Sequence, residues 1–247
     1  MIFRQFLHED RSCASYLIGC ASKGVTAVVD PQGDLSLYES QARHHGLEIT
    51  DVIDTHVHAD HLSGAHELAE RTGAKLRMGI GADVNFGFEP VADGDVIDVG
   101  NRHIRVIHTP GHTSEHVCLL VDDWFVLTGD TLFVGDVGRV DLALSEVDEN
   151  QLRNRARQLH SSLQKLAALP RETEVYPGHY AGSTCGRGMD GKTISTVGRE
   201  LRTNRALGLD VDDFIELQLS NIPPLPEDFL SIKRTNVGVL GNVEERR

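Results

Sequence analysis

Thr55-His-Val-His-Ala-Asp-His61 packs three imidazoles and a carboxylate into the positions from His56 to His61. His56, His58, Asp60 and His61 are all good donors to a borderline divalent metal, and a solvated surface would gain nothing from clustering them. Upstream, Asp51-Val-Ile-Asp54 reads as the end of a buried strand. Downstream, Ser63 to Gly73 reads as a capped amphipathic helix ended by glycine. The ligands therefore sit on a strand-to-helix loop, and loops carried by a rigid scaffold are the usual home of metal chemistry.

Three further pieces each set a ligand beside small, turn-forming residues: Thr109-Pro-Gly-His112, Leu127-Thr-Gly-Asp130 and Tyr176-Pro-Gly-His179. Each follows an apolar, β-branched run (His103 to Ile107, Trp124 to Leu127, Glu174 to Tyr176), so each lies where a strand ends. Four separated strand ends delivering His, Asp and His to one place make a metal centre. A structural zinc clip would more often use cysteine thiolates at short spacing, and no Cys-x-x-Cys occurs in the chain.

The order His-x-His-x-Asp-His, Gly-His, Gly-Asp, Gly-His, spanning about Cys13 to His179, resembles the metallo-β-lactamase superfamily. That resemblance implies an α+β fold, an αββα four-layer sandwich of two β-sheets with helices outside and the metal site along one edge. Within the superfamily the chain looks most like the persulfide dioxygenases, or sulfur dioxygenases. The finer match rests on Ile2-Phe-Arg-Gln-Phe6, Ser12-Cys-Ala-Ser-Tyr-Leu-Ile-Gly19, Val29-Asp-Pro31, Thr55 to Gly64 and Gly138-Arg-Val-Asp141. Gly182-Ser-Thr-Cys-Gly-Arg-Gly-Met189 with Thr193 to Gly198 is similar to the rhodanese-linked members in particular.

The resemblance assigns one Fe(II) per chain to His56, His112 and Asp130. Two histidines and a carboxylate on one face leave adjacent positions open for substrate and dioxygen. The implied reaction oxidises glutathione persulfide, or a similar low-molecular-weight persulfide, with O2 to sulfite and the free thiol. The redox chemistry belongs to iron, so proximity is most of what the protein supplies. His58, Asp60, His61 and His179 would equally complete a two-Zn(II) hydrolase. There His56, His58 and His112 hold one metal, Asp60, His61 and His179 the other, Asp130 bridges, and the hydroxide attacks a thioester or amide. In the dioxygenases the same extra residues orient the iron ligands and a water.

The surrounding stretches favour the dioxygenase. Glyoxalase-II-type thioester hydrolases carry a helical domain after the last metal histidine. Here Tyr180 to Arg247 contains Gly186 to Gly191 and Asn221-Ile-Pro-Pro-Leu-Pro226, too rich in glycine and proline for a compact bundle. Two roles are open to Arg139: pairing with a substrate carboxylate, or holding its loop by an ion pair to Asp141. Tyr180, directly after His179, is read as a hydrogen-bond donor toward the substrate sulfur.

At 247 residues the chain reads as a single domain with a Gly/Pro-rich extension from about residue 182. Net charge is −13, from 37 acidic and 24 basic side chains, with no basic run. A nucleic-acid-processing enzyme would need a cationic surface for phosphate, so no nucleic-acid partner is expected. The first ten residues contain acids and form no signal-peptide core, and no stretch approaches the roughly 18 apolar residues of a membrane span. The expectation is a cytoplasmic protein with no membrane partner, served by a separate rhodanese or none, and free to self-associate.

Four cysteines, Cys13, Cys20, Cys118 and Cys185, have no framework spacing and suit a reducing compartment. Cys118 reads as core, and Cys185, among glycines and beside Arg187, is the one candidate reactive thiol. Of the other histidines, His44, His45, His66 and His160 read as helix-surface residues and His103 and His108 as strand flanks. His116 reads as a structural hydrogen-bonding group close to the metal loop.

Strands are predicted at Ser15 to Leu17, Val25 to Val29, Asp51 to Asp54, Lys75 to Met78, Asp95 to Val99, His103 to Ile107, Val117 to Val121, Trp124 to Leu127 and Glu174 to Tyr176. Helices are predicted at Leu35 to His45, Gly64 to Thr72, Glu149 to Leu169 and Val211 to Leu219. The third carries a leucine stripe for the core. Glu200 to Arg205 reads as charged and exposed.

Overall fold

Two six-stranded mixed sheets face each other, and helices cover both outer faces. The computed structural model describes residues 1–142, 148–183, 185, 186, 188–220, 222 and 228–239. The first sheet runs β1 (Ile2–His8), β2 (Cys13–Cys20), β3 (Val25–Val29), β4 (Glu48–Ile53), β5 (Lys75–Gly79) and β6 (Glu89–Val91) in spatial order. The second contains β7 (Val96–Val99), β8 (Arg102–His108), β9 (Val117–Val121), β10 (Phe125–Gly129), β11 (Glu174–Pro177) and β12 (Ser195–Thr196), ordered β12-β11-β10-β9-β8-β7. Helices α1 (Ser36–His44) and α2 (Ala65–Thr72) lie on the first sheet. Helices α3 (Glu149–Ala167), α4 (Val197–Thr203) and α5 (Val211–Leu219) lie by the second, and α6 (Phe229–Asn236) follows. This is the four-layer αββα sandwich.

Each apolar layer has its own cluster. Tyr16, Ile18, Val29, Ile104, Leu119 and Leu127 fill the space between the sheets. Leu17, Tyr38, Val52 and Leu68 seal the first sheet against α1 and α2, and Leu120, Val126, Leu159, Leu163 and Phe214 seal the second against α3 and α5. Strand β2 is buried at every position because both of its faces are covered. A strand covered on both faces loses the apolar/polar alternation by which strands are recognised, so only its middle was legible. Edge strand β1 was missed for a different reason: Phe3 and Phe6 serve opposite layers, with Arg4 and Gln5 between them.

Most predicted elements are found within one or two residues of their expected ends. Helix α3 starts at Glu149, where the Asp148 carboxylate accepts the Asn150 N–H at 2.9 Å and caps the first turn.

After His179 the chain folds α4, α5 and α6; α5 spans the predicted Val211–Leu219, α4 and α6 were not predicted, and α4 and α5 pack on α3 rather than building a separate bundle. Glu200, expected on the surface, is fully buried. Its carboxylate accepts from Gly135 N–H at 2.8 Å, Asn204 Nδ2 at 3.1 Å, Arg199 at 3.0 Å and the Ser195 hydroxyl. Charge misled the reading, because four donors make burial of that carboxylate tolerable. His160 is likewise half-buried, its ring 5.3 Å from that of Phe214 on α5. The proline-rich stretch 223–226, and Thr184 and Arg187 of the glycine-rich one, lie outside the described residues.

Leu159 is fully buried between α3 and the second sheet. Leu159→Ala should lower unfolding free energy by about 2–5 kcal/mol through lost burial and the cavity left behind. Exposed Leu230→Ala should change it by less than about 0.5 kcal/mol. Urea denaturation midpoints of the two variants check this.

Candidate metal centre

The site forms where the strands of both sheets end. His56 follows β4, His112 follows β8, Asp130 follows β10 and His179 follows β11. The sheets are stitched together at this edge. Val117 N–H donates to Thr55 O at 2.9 Å and Ala14 N–H to Gly178 O at 2.7 Å, and Cys13 pairs with His179 as an isolated bridge. Two glycines are required by this crowding. Gly129 has φ +46°, and a Cβ there would stand 2.6 Å from His116 Nε2; Gly111 has φ +144°, with Leu159 Cβ 2.5 Å away.

His56, His112 and Asp130 converge, each buried, with one ligand atom apiece lying within 4.8 Å of the others. Asp130 Oδ2 is 3.4 Å from His112 Nε2 and 3.9 Å from His56 Nε2. Hydrogen bonding fixes which nitrogen faces inward. His112 Nδ1–H donates to the Arg139 carbonyl at 2.7 Å, because a carbonyl can only accept. The Thr55 hydroxyl spends its single proton on Asp30 Oδ2 at 3.0 Å, so toward His56 Nδ1, 2.9 Å away, it acts as the acceptor. Both rings therefore turn Nε2 inward.

His56 Nε2 and Asp130 Oδ2 are buried without a hydrogen-bond partner. Burial first, then the imidazoles of His58, His116 and His112, holds the His56 pKa well below its ordinary value, so the ring is neutral. Burial would raise the Asp130 carboxyl, but His179 outweighs it and brings the pKa to about 2. Two inward nitrogens and a carboxylate oxygen, with no donor among them, suit a cation, and a divalent metal fits this donor set.

The remaining predicted ligands divide into two groups. His58 Nε2 is 3.1 Å from Asp30 Oδ1 and turns toward Asp30 and Asp54 rather than joining His56 and His112. Asp60, His61 and His179 cluster instead around Asp60 Oδ2, which is 2.6 Å from His179 Nε2 and 3.1 Å from His61 Nδ1. The other nitrogen of His179, Nδ1, donates to Asp130 Oδ1 at 2.6 Å.

Arg139 is buried and its guanidinium makes a two-point contact with Asp141, at 2.7 and 2.6 Å. Of its two possible roles the loop-holding ion pair is the one present. The Tyr180 hydroxyl is buried without a hydrogen-bond partner. Cys185 is 1% exposed, and burial, then Asp60, pushes its thiol well above the ordinary value. The one cysteine singled out as a candidate reactive thiol is thus a buried one, and its raised pKa does not suit reactivity.

Several organising residues were not singled out from sequence. Asp30 (φ +50°) accepts the Thr55 N–H at 2.7 Å as well as the Thr55 hydroxyl. Glu115 accepts the Val57 N–H at 3.0 Å. Asn236 on α6 donates to the carbonyls of His58 and His61, both at 2.8 Å. Cys13 places its thiol 3.2 Å from His179 Nε2. Asp30 and Cys13 had a signal, in the stretches Val29-Asp-Pro31 and Ser12 to Gly19.

Residues 8–179 match the family model described as the metallo-beta-lactamase superfamily. The chain is 32% identical over 240 residues to a beta-lactamase hydrolase-like protein of Xylella fastidiosa, covering 88% of this chain and 52% of that protein. It thus spans about half the length of that relative. It is 34% identical over 230 residues to a hydroxyacylglutathione hydrolase of Bradyrhizobium sp. (strain ORS 278), covering 90% of this chain and 80% of the hydrolase. The crystal structure of ETHE1 from Myxococcus xanthus superposes with a TM-score of 0.83 at 31% identity, covering 97% of this chain and all of that one.

His116 provides a test that does not depend on the metal's identity. It is fully buried, and its Nε2 accepts the Asp130 N–H at 3.0 Å. Burial, then His112, lowers its pKa from 6.5 to about 3. Between those values the unfolded chain binds a proton that the fold refuses, so stability is full above about pH 6.5 and falls as pH drops toward 3. One such group contributes a slope of at most about 1.4 kcal/mol per pH unit. Urea unfolding of metal-free protein across that window should give a flatter pH profile for His116→Gln than for the wild type, and equal slopes would refute the assignment.

Proposed function

The chain belongs to the metallo-beta-lactamase superfamily, and from that premise we propose that it is an iron(II)-dependent persulfide dioxygenase. One observation carries this reading: His56 Nε2, His112 Nε2 and Asp130 Oδ2 form a three-donor face, while His58, Asp60 and His61 gather in other clusters. A dizinc hydrolase would draw His58 to the first metal and spread Asp130 across both. Here His58 is bonded to Asp30, and Asp130 Oδ1 is taken by His179. The likeness to ETHE1 over the whole of that chain supports the same reading. The hydroxyacylglutathione hydrolase relatives favour the second reading, a dizinc thioester hydrolase, because every ligand it needs is present.

On the main reading the substrate is glutathione persulfide or a similar small persulfide, and RSSH, O2 and H2O give RSH, sulfite and two protons. Ferrous iron held by His56, His112 and Asp130 supplies the redox chemistry when bound. The residues around it do the positioning. His179 holds Asp130 by one oxygen and leaves the other to face the histidines, while Arg139 O and Thr55 fix the two rings. The unpaired Tyr180 hydroxyl is the donor we assign to the persulfide sulfur. A cavity of about 410 Å³ bordered by His8, Arg11, Gln32, His61 and Asp228 adjoins the metal loop and is the place we assign to the thiol carrier. With Arg139 paired to Asp141, Arg11 is the cation we assign to the carrier's carboxylate. A separate rhodanese is the sulfur donor we expect for such an enzyme.

Metal analysis of protein made without added metal should find about one iron per chain, with oxygen consumed on adding glutathione persulfide. About two zinc per chain, no oxygen uptake and thioester hydrolysis would establish the hydrolase instead. Asp130→Ala should abolish activity and iron binding, whereas His58→Ala should keep its iron; loss of iron there would count against the ligand assignment. Tyr180→Phe should retain iron and lower kcat/KM about tenfold, the worth of one hydrogen bond of about 1.4 kcal/mol.

A further inference from the structure

A second cavity, of about 360 Å³, lies between the metal loop, α2 and the end of α6, bordered by Asp54, Ser63, Glu67, Phe86 and Asn236. Its outer rim is tied to α6 by Asn85, whose main-chain N–H and Nδ2–H both donate to Val237 O, at 2.8 and 3.1 Å.

The hydrogens of this wall are largely spent. The Ser63 hydroxyl donates to Asp54 Oδ2 at 2.7 Å and the Thr235 hydroxyl to Ser231 O at 3.1 Å. Both Nδ2 hydrogens of Asn236 go to the carbonyls of His58 and His61. The exceptions, the second amide hydrogen of Asn85 and the ring of His66, belong to exposed side chains. What the wall offers inward is acceptors. The Asp54 side chain is 7% exposed, and its Oδ1 has no hydrogen-bond partner; His58 Nε2 stands 3.9 Å away. Glu67 adds a second, exposed carboxylate, and the guanidinium of Arg71 that it meets at 3.4 Å is shared with Glu39 at 2.8 Å.

A buried carboxylate oxygen without a partner costs free energy that a positively charged donor recovers. The remaining wall says which kind of donor. The rings of Phe86 and His66 lie 4.6 Å apart between centroids, tilted by 39°, and present an aromatic surface beside the two carboxylates. Such a surface suits alkyl carbons and the face-on approach of an ammonium. A bare hard metal ion would instead need several converging oxygens, and of these two carboxylates Asp54 alone is buried.

We propose that this cavity binds a small organic cation, a primary alkylammonium whose N–H groups meet Asp54 while its chain lies along Phe86. Its volume is within the ordinary range of ligand sites, roughly 300 Å³ upward. Asn236 stands in the same wall, so an occupant braces the amide that holds the metal-loop carbonyls. The assignment is independent of which reaction the metal centre runs.

Butylammonium is the probe. Titrated calorimetrically into the metal-loaded protein at fixed ionic strength, it should bind one site per chain with Kd of about a millimolar or tighter, and butan-1-ol, of equal length without the charge, should not saturate. Asp54→Asn should weaken binding about tenfold or more, and Phe86→Leu about threefold. Asp228→Asn, in the cavity assigned to the thiol carrier, should leave Kd unchanged. Absence of saturable binding, equal affinity for butan-1-ol, undiminished binding by Asp54→Asn or lost binding by Asp228→Asn each overturns the proposal. Diffraction from wild-type crystals soaked in butylammonium needs no variant. Density in this cavity with its nitrogen within hydrogen-bond distance of Asp54 supports the site, and an empty cavity refutes it.

Discussion

Three electron-pair donors are held together in a buried site with no hydrogen among them, and the rest of the edge is arranged to keep them so. His56 Nε2 and Asp130 Oδ2 carry no hydrogen-bond partner, and desolvated acceptors in that state cost free energy that only a cation recovers. The fold tolerates this by engaging the opposite atom of each ligand with a protein group: Thr55 for His56, the Arg139 carbonyl for His112, His179 for Asp130. These partners leave each ligand one free direction, and the three directions meet. Metal affinity and folding are therefore linked, since an ion that relieves the buried acceptors stabilises the sandwich that presents them.

The same logic explains why both sheets are needed. Asp30 ends β3 in the first sheet and organises Thr55, while His112, Asp130 and His179 come from strand ends in the second. Val117 N–H on Thr55 O ties the histidine loop directly to β9. Distant α6 adds a clamp through Asn236, which holds the carbonyls of His58 and His61 and accepts the Ser63 N–H at 3.0 Å. A loop with so many turns has carbonyls that no strand or helix can satisfy, and an amide side chain from elsewhere in the fold does so.

How much of this could be read beforehand follows from sequence distance. The ligands were legible because His112, Asp130 and His179 each follow a glycine at the end of a strand-like run and those from His56 to His61 crowd one loop, and such local chemistry survives in a linear string. Asn236 was invisible because it lies 178 residues from His58, with nothing around it to mark a clamp. Cys13 was noticed only within a resembling stretch, since its meaning depends on His179, 166 residues later. Glu200 was misread because charge was taken to report exposure, and the burial of Cys185 was equally unreadable, since burial depends on what packs above. For Glu200 that is a set of four donors, and for Cys185 the apolar contact with Phe133 and Phe229.

Ligand identity alone does not choose between one metal and two in such a site, because the same histidines and aspartates serve both. The choice resides in the hydrogen bonds that compete for the ligands' second atoms. A carboxylate oxygen that accepts a short bond from an imidazole N–H is a weaker donor to a second ion, and in this chain Asp130 Oδ1 accepts one. His58 is held by Asp30 through Nε2, so its reach toward the metal beside His56 is left to Nδ1 alone, in the orientation that Asp30 sets. Asp30 and His179 thus bias the centre without touching the first ion. Asp30 has a second duty in the loop geometry, so its hold on His58 cannot be relaxed without also loosening Thr55 and, through it, the ring of His56.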